Sequence, residues 1–463
     1  MKSSTAKVLH AIGGRTLLYH AVAAAEALAP DHLVVVVGQD RERVVAHLAE
    51  VAPKTTTAIQ PQQLGTGHAV QCALAELPAL DGTVVVTYGD VPLLTSTALQ
   101  GLVDEHAEQA NGVTILTAHL ADPTGYGRVL RADDGSVTGV VEQRDATAEQ
   151  RSVKEVNSGV YAFEAAVLRD GLGRLDAGNA QGELYLTDVV GLAASAGHRV
   201  GAIAVEDTWA VEGVNDRVQL AAVGRELNRR IVERWMREGV TVVDPATTWV
   251  DTDVTLGKDV VLEPNTLLRG TTTVADRARI GPNCLVVDTA VGEGADVSNA
   301  TTYSAVIGPE ATVGPYTYLR AGTVLGRAAK AGGFVEMKQA RVGDGAKAPH
   351  LSYVGDATIG EGANIGAGTI FANYDGVAKH HSRVGAHSFV GSNSVLVAPA
   401  DIGDGAYVAA GSAVTAAVGP GELAVARGKQ RVIAGWVARR RAGTRSAQAA
   451  EAARRRREEG RDA

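Results

Sequence analysis

The 463-residue sequence has little cysteine, few aromatic residues and no long apolar run. Its two cysteines, Cys72 and Cys284, lie far apart, which excludes a disulfide framework and fits a reducing compartment. No run of 18 apolar residues is present, so no transmembrane helix is expected. The polar stretch after Met1 has no apolar segment behind it, so a secretory signal is not expected either. These absences predict a cytoplasmic protein that does not interact with membranes.

Charge is unevenly distributed along the chain, whose formal net charge is −8. From Ala438 onward there are nine arginines and four acidic residues, so the remainder carries a net charge of −13. An acidic body disfavours nucleic acid as a partner. The Arg/Ala-rich tail, residues 438–463, has almost nothing to bury and is expected to be disordered or to form a solvated helix.

The first half alternates apolar runs with amphipathic stretches. His32 to Val37 and Thr83 to Val86 are β-branched runs followed by loops that contain Gly and Asp. Runs that are apolar on both faces are typical of parallel strands covered by helices. Residues 17–28 and 42–48 have helical spacing, so the pattern predicts an α/β domain over residues 1–216 with a ligand crevice at the strand ends. Val218 to Glu238 predicts one long helix that stops at Gly239, within a linker over residues 217–249.

From residue 250 to 437 the sequence repeats every six residues, and glycine makes up 54 of all 463 positions. An aliphatic residue usually precedes Gly, as in I-G-P-N-C-L at Ile280, I-G-E-G-A-N at Ile359 and I-G-D-G-A-Y at Ile402. This period predicts a parallel β-helix in which the aliphatic residue points inward. Residues 326–343 and 371–384 interrupt the repeat, and such insertions often form the binding face of a solenoid.

Motifs in both halves match one known family. Q-Q-L-G-T-G-H-A at Gln62, Y-G-D-V-P-L at Tyr88 and V-E-G-V-N-D-R at Val211 resemble a bacterial sugar-nucleotide pyrophosphorylase. K-A-P-H-L-S-Y-V-G-D at Lys347 and N-Y-D-G at Asn373 lie in the β-helix half. Together they resemble the bifunctional N-acetylglucosamine-1-phosphate uridyltransferase/glucosamine-1-phosphate acetyltransferase family. The resemblance implies a Rossmann-like nucleotidyltransferase domain, a left-handed parallel β-helix, a homotrimer and a place in UDP-N-acetylglucosamine synthesis for the cell envelope.

The resemblance implies a set of binding residues for UTP and N-acetylglucosamine-1-phosphate in the first half. Asp90 and Asn215 would hold Mg²⁺, and Lys7 would meet phosphate. Strand-end carboxylate and amide oxygens suit that metal, although a strand-end Asp is also a common helix cap. The uracil-reading segment would comprise Gln60, Gly65 and Thr66. The other matching positions in this half are Tyr88, Gly89, Gly127, Glu142 and Asn157, of which the last three match the N-acetylglucosamine site.

In the second half the resemblance makes His350 the base that takes a proton from the amine of glucosamine-1-phosphate. Imidazole is a base suited to neutral pH. The sugar-phosphate site would comprise Arg320, Lys338, Tyr353 and Asn364. For acetyl-CoA, Asn373 and Tyr374 would line the acetyl group. The positions that match the coenzyme A arm are Ala367, Ser392, Ala410 and Arg427.

The start of the sequence differs from the family pattern. The family opens with a strand and a glycine-rich loop of the type L-A-A-G-x-G-T-R-M, whereas K-S-S-T-A-K-V-L-H after Met1 matches the segment on the C-terminal side of that loop. Two explanations are open: the start codon was placed too late, or the first domain lacks its phosphate-binding loop. The second would leave a protein that carries out acetyl transfer only. Two further alternatives are a non-catalytic subunit and a pyrophosphorylase whose β-helix is purely structural.

Overall fold

The computed structural model describes residues 1–38 and 40–460. Its chain forms two compact units, Met1–Ala328 and Ala329–Ala463. The domain limits expected from the sequence, at residues 216, 249 and 437, stay a prediction.

The first part of the first unit alternates strands and helices. Val34–Val37 pairs in parallel with Thr56–Ile59 as a two-stranded sheet. The other sheet has six strands: Thr83–Val86, Val113–His119, Gly127–Arg131, Val137–Val141, Glu155–Glu164 and Val200–Val205. A small hairpin joins Ala11–Ile12 to Arg15–Thr16. The core between the large sheet and its helices includes the fully buried side chains of Ile115, Phe163 and Leu168.

The helices agree with the apolar spacing of the sequence. The predicted helices over residues 17–28 and 42–48 are Leu17–Glu26 and Arg41–Val51. The long helix spans Arg217–Arg237, and Gly239 follows it with a φ of 100°. The other helices of this part are Thr66–Ala75, Ser96–Glu108, Ala148–Arg151, Ala165–Gly173 and Asp188–Ser195, with 3₁₀ turns at Lys7–Leu9 and Thr208–Val211.

One strand has a different neighbour from the one that its sequence suggests. The apolar run Thr83–Val86 predicts a parallel neighbour, but the strand pairs antiparallel with Glu155–Glu164. An apolar run indicates that both faces of a strand are buried, but it does not specify whether the neighbouring strand is parallel or antiparallel. The large sheet contains both kinds of pairing.

Short parallel strands fill the rest of the first unit. Val250, Leu268, Val286, Thr302 and Leu319 occupy equivalent positions in successive coils, and all are at most 2% exposed. Each of the valines and leucines contributes on the order of 1.5–3 kcal/mol by leaving water. The strands are Thr241–Val242, Trp249–Val250, Thr255–Leu256, Val261–Leu262, Thr266–Arg269, Thr273–Val274, Arg279–Ile280, Cys284–Val287, Ala290–Val291, Asp296–Val297, Ala300–Tyr303, Val306–Ile307, Thr312–Val313, Thr317–Leu319 and Val324–Leu325.

The second unit has the same architecture. Met337, Val354, Phe371, Leu396 and Val414 are buried core residues on its parallel strands. The strands are Lys330–Gly333, Glu336–Val342, Lys347–His350, Tyr353–Ile359, Asn364–Ile365, Ile370–Ala372, Ser382–Val384, Phe389–Val390, Val395–Val397, Asp401–Ile402, Tyr407–Val408, Ala413–Val414 and Leu423–Ala424. The predicted parallel β-helix is therefore confirmed.

The tail forms helices, one of the two states that its composition allows. Trp436–Arg440 and Arg445–Glu459 are helical, and neither contains a buried residue. None of the helices in the described part of the chain is both long and apolar enough to cross a membrane.

Candidate active sites

Lys7, Asp90 and Asn215 meet although they are far apart in sequence. The Lys7 ammonium forms an ion pair with the Asp90 carboxylate and donates to Asn215 Oδ1 at 2.9 Å. The backbone N–H of Val214 donates to the Asp90 carbonyl at 3.0 Å, which fixes the segment carrying Asn215 beside Asp90. The two side-chain oxygens thus converge on a single cation, the Lys7 ammonium.

This oxygen pair fits Mg²⁺. Magnesium prefers oxygen ligands and commonly uses one or two protein groups together with water and substrate phosphates. Within residues 1–38 and 40–460, no group of three His, Cys, Asp or Glu side chains could hold a metal by itself. A magnesium ion here would therefore depend on phosphate oxygens of a bound substrate.

The expected uracil-reading residues lie together at the start of one helix. Gly65 precedes helix Thr66–Ala75 with a φ of 111°, and a Cβ there would lie 2.5 Å from the Leu184 carbonyl oxygen, so only glycine fits. Gln60 Nε2 donates to the Gly65 carbonyl at 3.0 Å. A cavity of about 430 Å³ borders this segment and is lined by Gly38, Asp40, Arg41, Glu42, Gln60, Pro61 and Gln63. Its size suits a small ligand.

The expected sugar residues also meet. Gly127 pairs with Asn157 on adjacent strands, and a Cβ on Gly127 would lie 3.5 Å from the carboxylate oxygens of Glu142. Burial raises the pKa of Glu142. Burial, followed by the charges of Glu142 and Asp90, raises the pKa of Tyr88 to about 12, so its hydroxyl remains a donor at neutral pH. Gly89 has a packing role, because a Cβ there would lie 3.2 Å from Leu18 Cδ1.

Two hydrogen bonds connect the expected uracil-reading residues to the expected sugar residues. Thr66 Oγ1 accepts from the backbone N–H of Leu186 at 3.0 Å. The next residue, Thr187, donates from its hydroxyl to Glu142 at 3.4 Å. The turn at Leu186 and Thr187, just before helix Asp188–Ser195, therefore holds Thr66 and Glu142 in fixed positions relative to each other.

In the second unit, His350 heads a row of residues on successive coils. His350 pairs with Gly333, and its carbonyl accepts from Gly368 N at 3.2 Å and from Ser352 Oγ at 2.8 Å. The next links are Asn393 N to the Ala367 carbonyl at 2.7 Å and Gly411 N to the Ser392 carbonyl at 2.8 Å. His350, Ala367, Ser392 and Ala410 thus follow one another along one edge, about 4.8 Å per coil. The expected base and three expected coenzyme A positions share this row.

A second cluster surrounds Gly355. A Cβ at Gly355 would lie 2.5 Å from Tyr353 Oη and 2.6 Å from Asn373 Nδ2. Asn373 is 7% exposed and donates to the Asp356 carboxylate. Lys338 pairs with Gly355 on the neighbouring strand. Lys338, Tyr353 and Asn373 are therefore neighbours.

The remaining expected residues are Arg320, Asn364, Tyr374 and Arg427. Arg320 belongs to the first unit, where its guanidinium lies 6.0 Å from the ring centroid of Tyr318. Asn364 lies between Lys347 and Phe389 in the parallel ladder. Tyr374 is 58% exposed and donates to the Gly376 carbonyl at 2.7 Å. Arg427 is exposed.

Sequence reasoning missed three residues that contact expected site residues. Thr187 donates to Glu142, Asp356 accepts from Asn373, and His68 Nδ1 lies 3.3 Å from Gln60 Nε2. His68 and Asp356 fall within the motifs G-T-G-H-A and Y-V-G-D, so their place in those motifs was the available signal. Thr187 follows an apolar pair with no distinctive pattern, and only the fold brings it to Glu142.

Comparisons with known proteins agree with both halves. A family model for nucleotidyl transferases matches residues 2–252, and a model for the hexapeptide repeat of succinyl-transferases matches residues 383–416. A protein of Corynebacterium aurimucosum named bifunctional protein GlmU is 55% identical over 454 residues, which cover 97% of this chain and 93% of that protein. Proteins of the same name from Streptomyces avermitilis and Pseudarthrobacter chlorophenolicus are 54% and 55% identical, and each alignment covers 98% of this chain. They cover 94% and 93% of those proteins, respectively.

These alignments run through the nucleotidyltransferase half as well as the repeat half, which favours two activities over acetyl transfer alone. The chain therefore belongs to the GlmU family of bifunctional enzymes and is both an acetyltransferase and a uridyltransferase.

Proposed function

We propose that the chain transfers acetyl from acetyl-CoA to glucosamine-1-phosphate and then uridylyl from UTP to the resulting N-acetylglucosamine-1-phosphate. The observation that supports this most strongly is that the residues expected for each step gather in separate clusters. Lys7, Asp90 and Asn215 form one cluster, and the row headed by His350 forms another.

For uridylyl transfer, a phosphate oxygen of the sugar attacks the α-phosphorus of UTP and pyrophosphate leaves. The attacking oxygen is already deprotonated at neutral pH, so the site mainly positions two anions and supplies positive charge. Lys7 contributes an ammonium to that charge. Mg²⁺, held by Asp90 and Asn215, would neutralise phosphate oxygens when bound. Gly127, Glu142 and Asn157 orient the sugar, and Tyr88 stays neutral beside them.

For acetyl transfer, His350 takes a proton from the substrate ammonium. The amine nitrogen then attacks the thioester carbonyl carbon to form the C–N bond, the carbon–sulfur bond breaks, and the departing coenzyme A thiolate takes up the second proton that the nitrogen loses. Lys338 supplies a point charge for the sugar phosphate beside Tyr353, and Arg320 and Asn364 are further ligands proposed from the family resemblance. Asn373 and Tyr374 line the acetyl group, while Ala367, Ser392, Ala410 and Arg427 follow the coenzyme A arm.

We further propose a homotrimer. Phe389, Tyr407 and Leu423 occupy equivalent outward positions on successive coils and are 41%, 53% and 65% exposed. The Phe389 and Tyr407 rings stack with centroids 5.5 Å apart. A contiguous apolar row exposed in the single chain supports contact with another subunit.

Two assays test this function on the purified chain. Release of free thiol from acetyl-CoA should require glucosamine-1-phosphate, and release of pyrophosphate from UTP should require N-acetylglucosamine-1-phosphate and Mg²⁺. Thiol release without pyrophosphate release would support the acetyltransferase-only alternative. Pyrophosphate release without thiol release would instead support a structural β-helix.

A further inference from the structure

Helix Thr66–Ala75 carries a short hydrogen-bonded chain that ends on Gln60. Gln60 Nε2 lies 3.0 Å from the Gly65 carbonyl oxygen and 3.3 Å from His68 Nδ1. His68 Nε2 lies 3.6 Å from the sulfur of Cys72. His68 and Cys72 are four residues apart, so they share one face of the helix.

The chemistry of these contacts fixes the orientation of the Gln60 amide. A backbone carbonyl oxygen only accepts, so the Gln60 atom that faces Gly65 must be the NH₂ group. Its second hydrogen then points to His68 Nδ1, which must be an acceptor. The ring proton is therefore on Nε2, where it faces the Cys72 sulfur, a weak acceptor.

This arrangement leaves the Gln60 oxygen for a ligand. Both amide hydrogens are used, and among residues 1–38 and 40–460 nothing donates to Gln60 Oε1. Gln60 also lines the cavity of about 430 Å³. The frame around it is firmly held, because Gly67 N donates to the Leu184 carbonyl at 2.8 Å and Leu184 N donates to the Leu64 carbonyl at 2.8 Å.

We infer that His68 is a positioning residue for nucleobase selection, acting through Gln60 with Cys72 fixing its tautomer. The inference rests on the proposed role of Gln60 in reading the base of UTP. Uracil carries a proton on N3, which an amide oxygen accepts, whereas cytosine has a lone pair on N3. An amide held with its oxygen toward the base therefore favours uracil, and an amide free to rotate loses that preference.

The test compares kcat/KM for UTP and CTP in His68→Gln and His68→Asn. Asn places an acceptor where Nδ1 lies, so His68→Asn should keep the UTP/CTP ratio within about threefold of wild type. Gln reaches the Nε2 position instead, so His68→Gln should lower the ratio about tenfold, which corresponds to about 1.4 kcal/mol. The loss should appear in KM for UTP with kcat little changed, and acetyl transfer should be unaffected. An unchanged ratio in His68→Gln, or an equal loss in both variants, would overturn the inference.

Two further variants separate this inference from the function on which it rests. Gln60→Ala should lower the UTP/CTP ratio by itself, and if it does not, the assignment of Gln60 to the base is wrong. In the double variant with Gln60→Ala, His68→Gln should have no additional effect on the ratio. If Gln60→Ala lowers the ratio and the His68 effect is additive to it, then Gln60 reads the base but His68 does not act through it.

Discussion

At the scale of single residues, the contacts of Lys7 with Asp90 and Asn215 are the feature on which the proposed uridylyl transfer site rests. Asp90→Asn keeps the shape of the side chain but removes the negative charge that holds a cation. We expect pyrophosphate release to fall by about 10²-fold or more, the range seen when one electrostatic group is removed from a site. Acetyl transfer should be unchanged. Asp81→Asn, at an exposed loop position, is the control and should leave both assays at wild-type rates.

His350 gives the corresponding prediction for acetyl transfer. His350→Ala should lower thiol release by about 10² or more, because general-base catalysis contributes about 10²–10⁴. Pyrophosphate release should not change. The matched control is His387→Ala, an exposed histidine of the same unit outside the row of His350, Ala367, Ser392 and Ala410. Near-normal acetylation by His350→Ala would show that another group is the base.

The same residues show how much of the sites can be predicted from sequence. Asp90 and Asn215 are 125 positions apart, and no spacing rule brings them together, so only the motifs resembling a known family linked them. His68 was missed because a histidine in the first turn of a helix resembles an ordinary surface residue until its distance of 3.3 Å to Gln60 is known.

At the scale of elements, Gly159 in strand Glu155–Glu164 keeps the Tyr88 ring in place. Its φ is 81°, and a Cβ there would lie 1.8 Å from Tyr88 Cε2. Gly159→Ala should lower the free energy of unfolding of the first unit by about 2–4 kcal/mol, combining backbone strain with overpacking, and should impair pyrophosphate release. Gly173→Ala is the control, because nothing lies within 4 Å of its Cβ position. That variant should be neutral or more stable by about 0.4–1 kcal/mol in urea titrations.

The long helix Arg217–Arg237 predicts a measurable pH dependence. Hydrogen bonds from Arg229, followed by those from Arg230, lower the pKa of Glu226 to about 2. A carboxyl whose pKa is lower in the folded state stabilises the protein above its unfolded pKa, near 4.5, and that contribution is lost as the pH falls toward 2. Glu226→Gln should therefore be less stable at pH 7, by about 1 kcal/mol, since Arg229 is 59% exposed and screened by solvent.

The measurement is thermal unfolding of wild type and Glu226→Gln at several pH values. The gap in Tm between the two proteins should close progressively below about pH 4.5. A gap that stays constant down to about pH 3 would contradict the assigned role of the two arginines.

Elements also differ in how far the sequence predicts them. The six-residue repeat could be read directly because each inward aliphatic residue, such as Ile280 or Ile402, must be buried in every coil, and both are fully buried. The direction of the strand beside Thr83–Val86 could not be predicted from the sequence, because burial of a strand does not specify whether its neighbour runs parallel or antiparallel.

At the scale of the whole molecule, the exposed row of Phe389, Tyr407 and Leu423 predicts assembly through the β-helix. Light scattering of the full chain should give three times the mass of one chain. Burying a charge in an apolar interface is unfavourable, so Tyr407→Glu should weaken the trimer. Acetyl transfer should fall as the trimer dissociates. Val218→Glu changes an equally apolar residue that is 77% exposed on the long helix, and it should leave the mass unchanged. A monomer that kept full acetyltransferase activity would show that no subunit depends on its neighbour for this reaction.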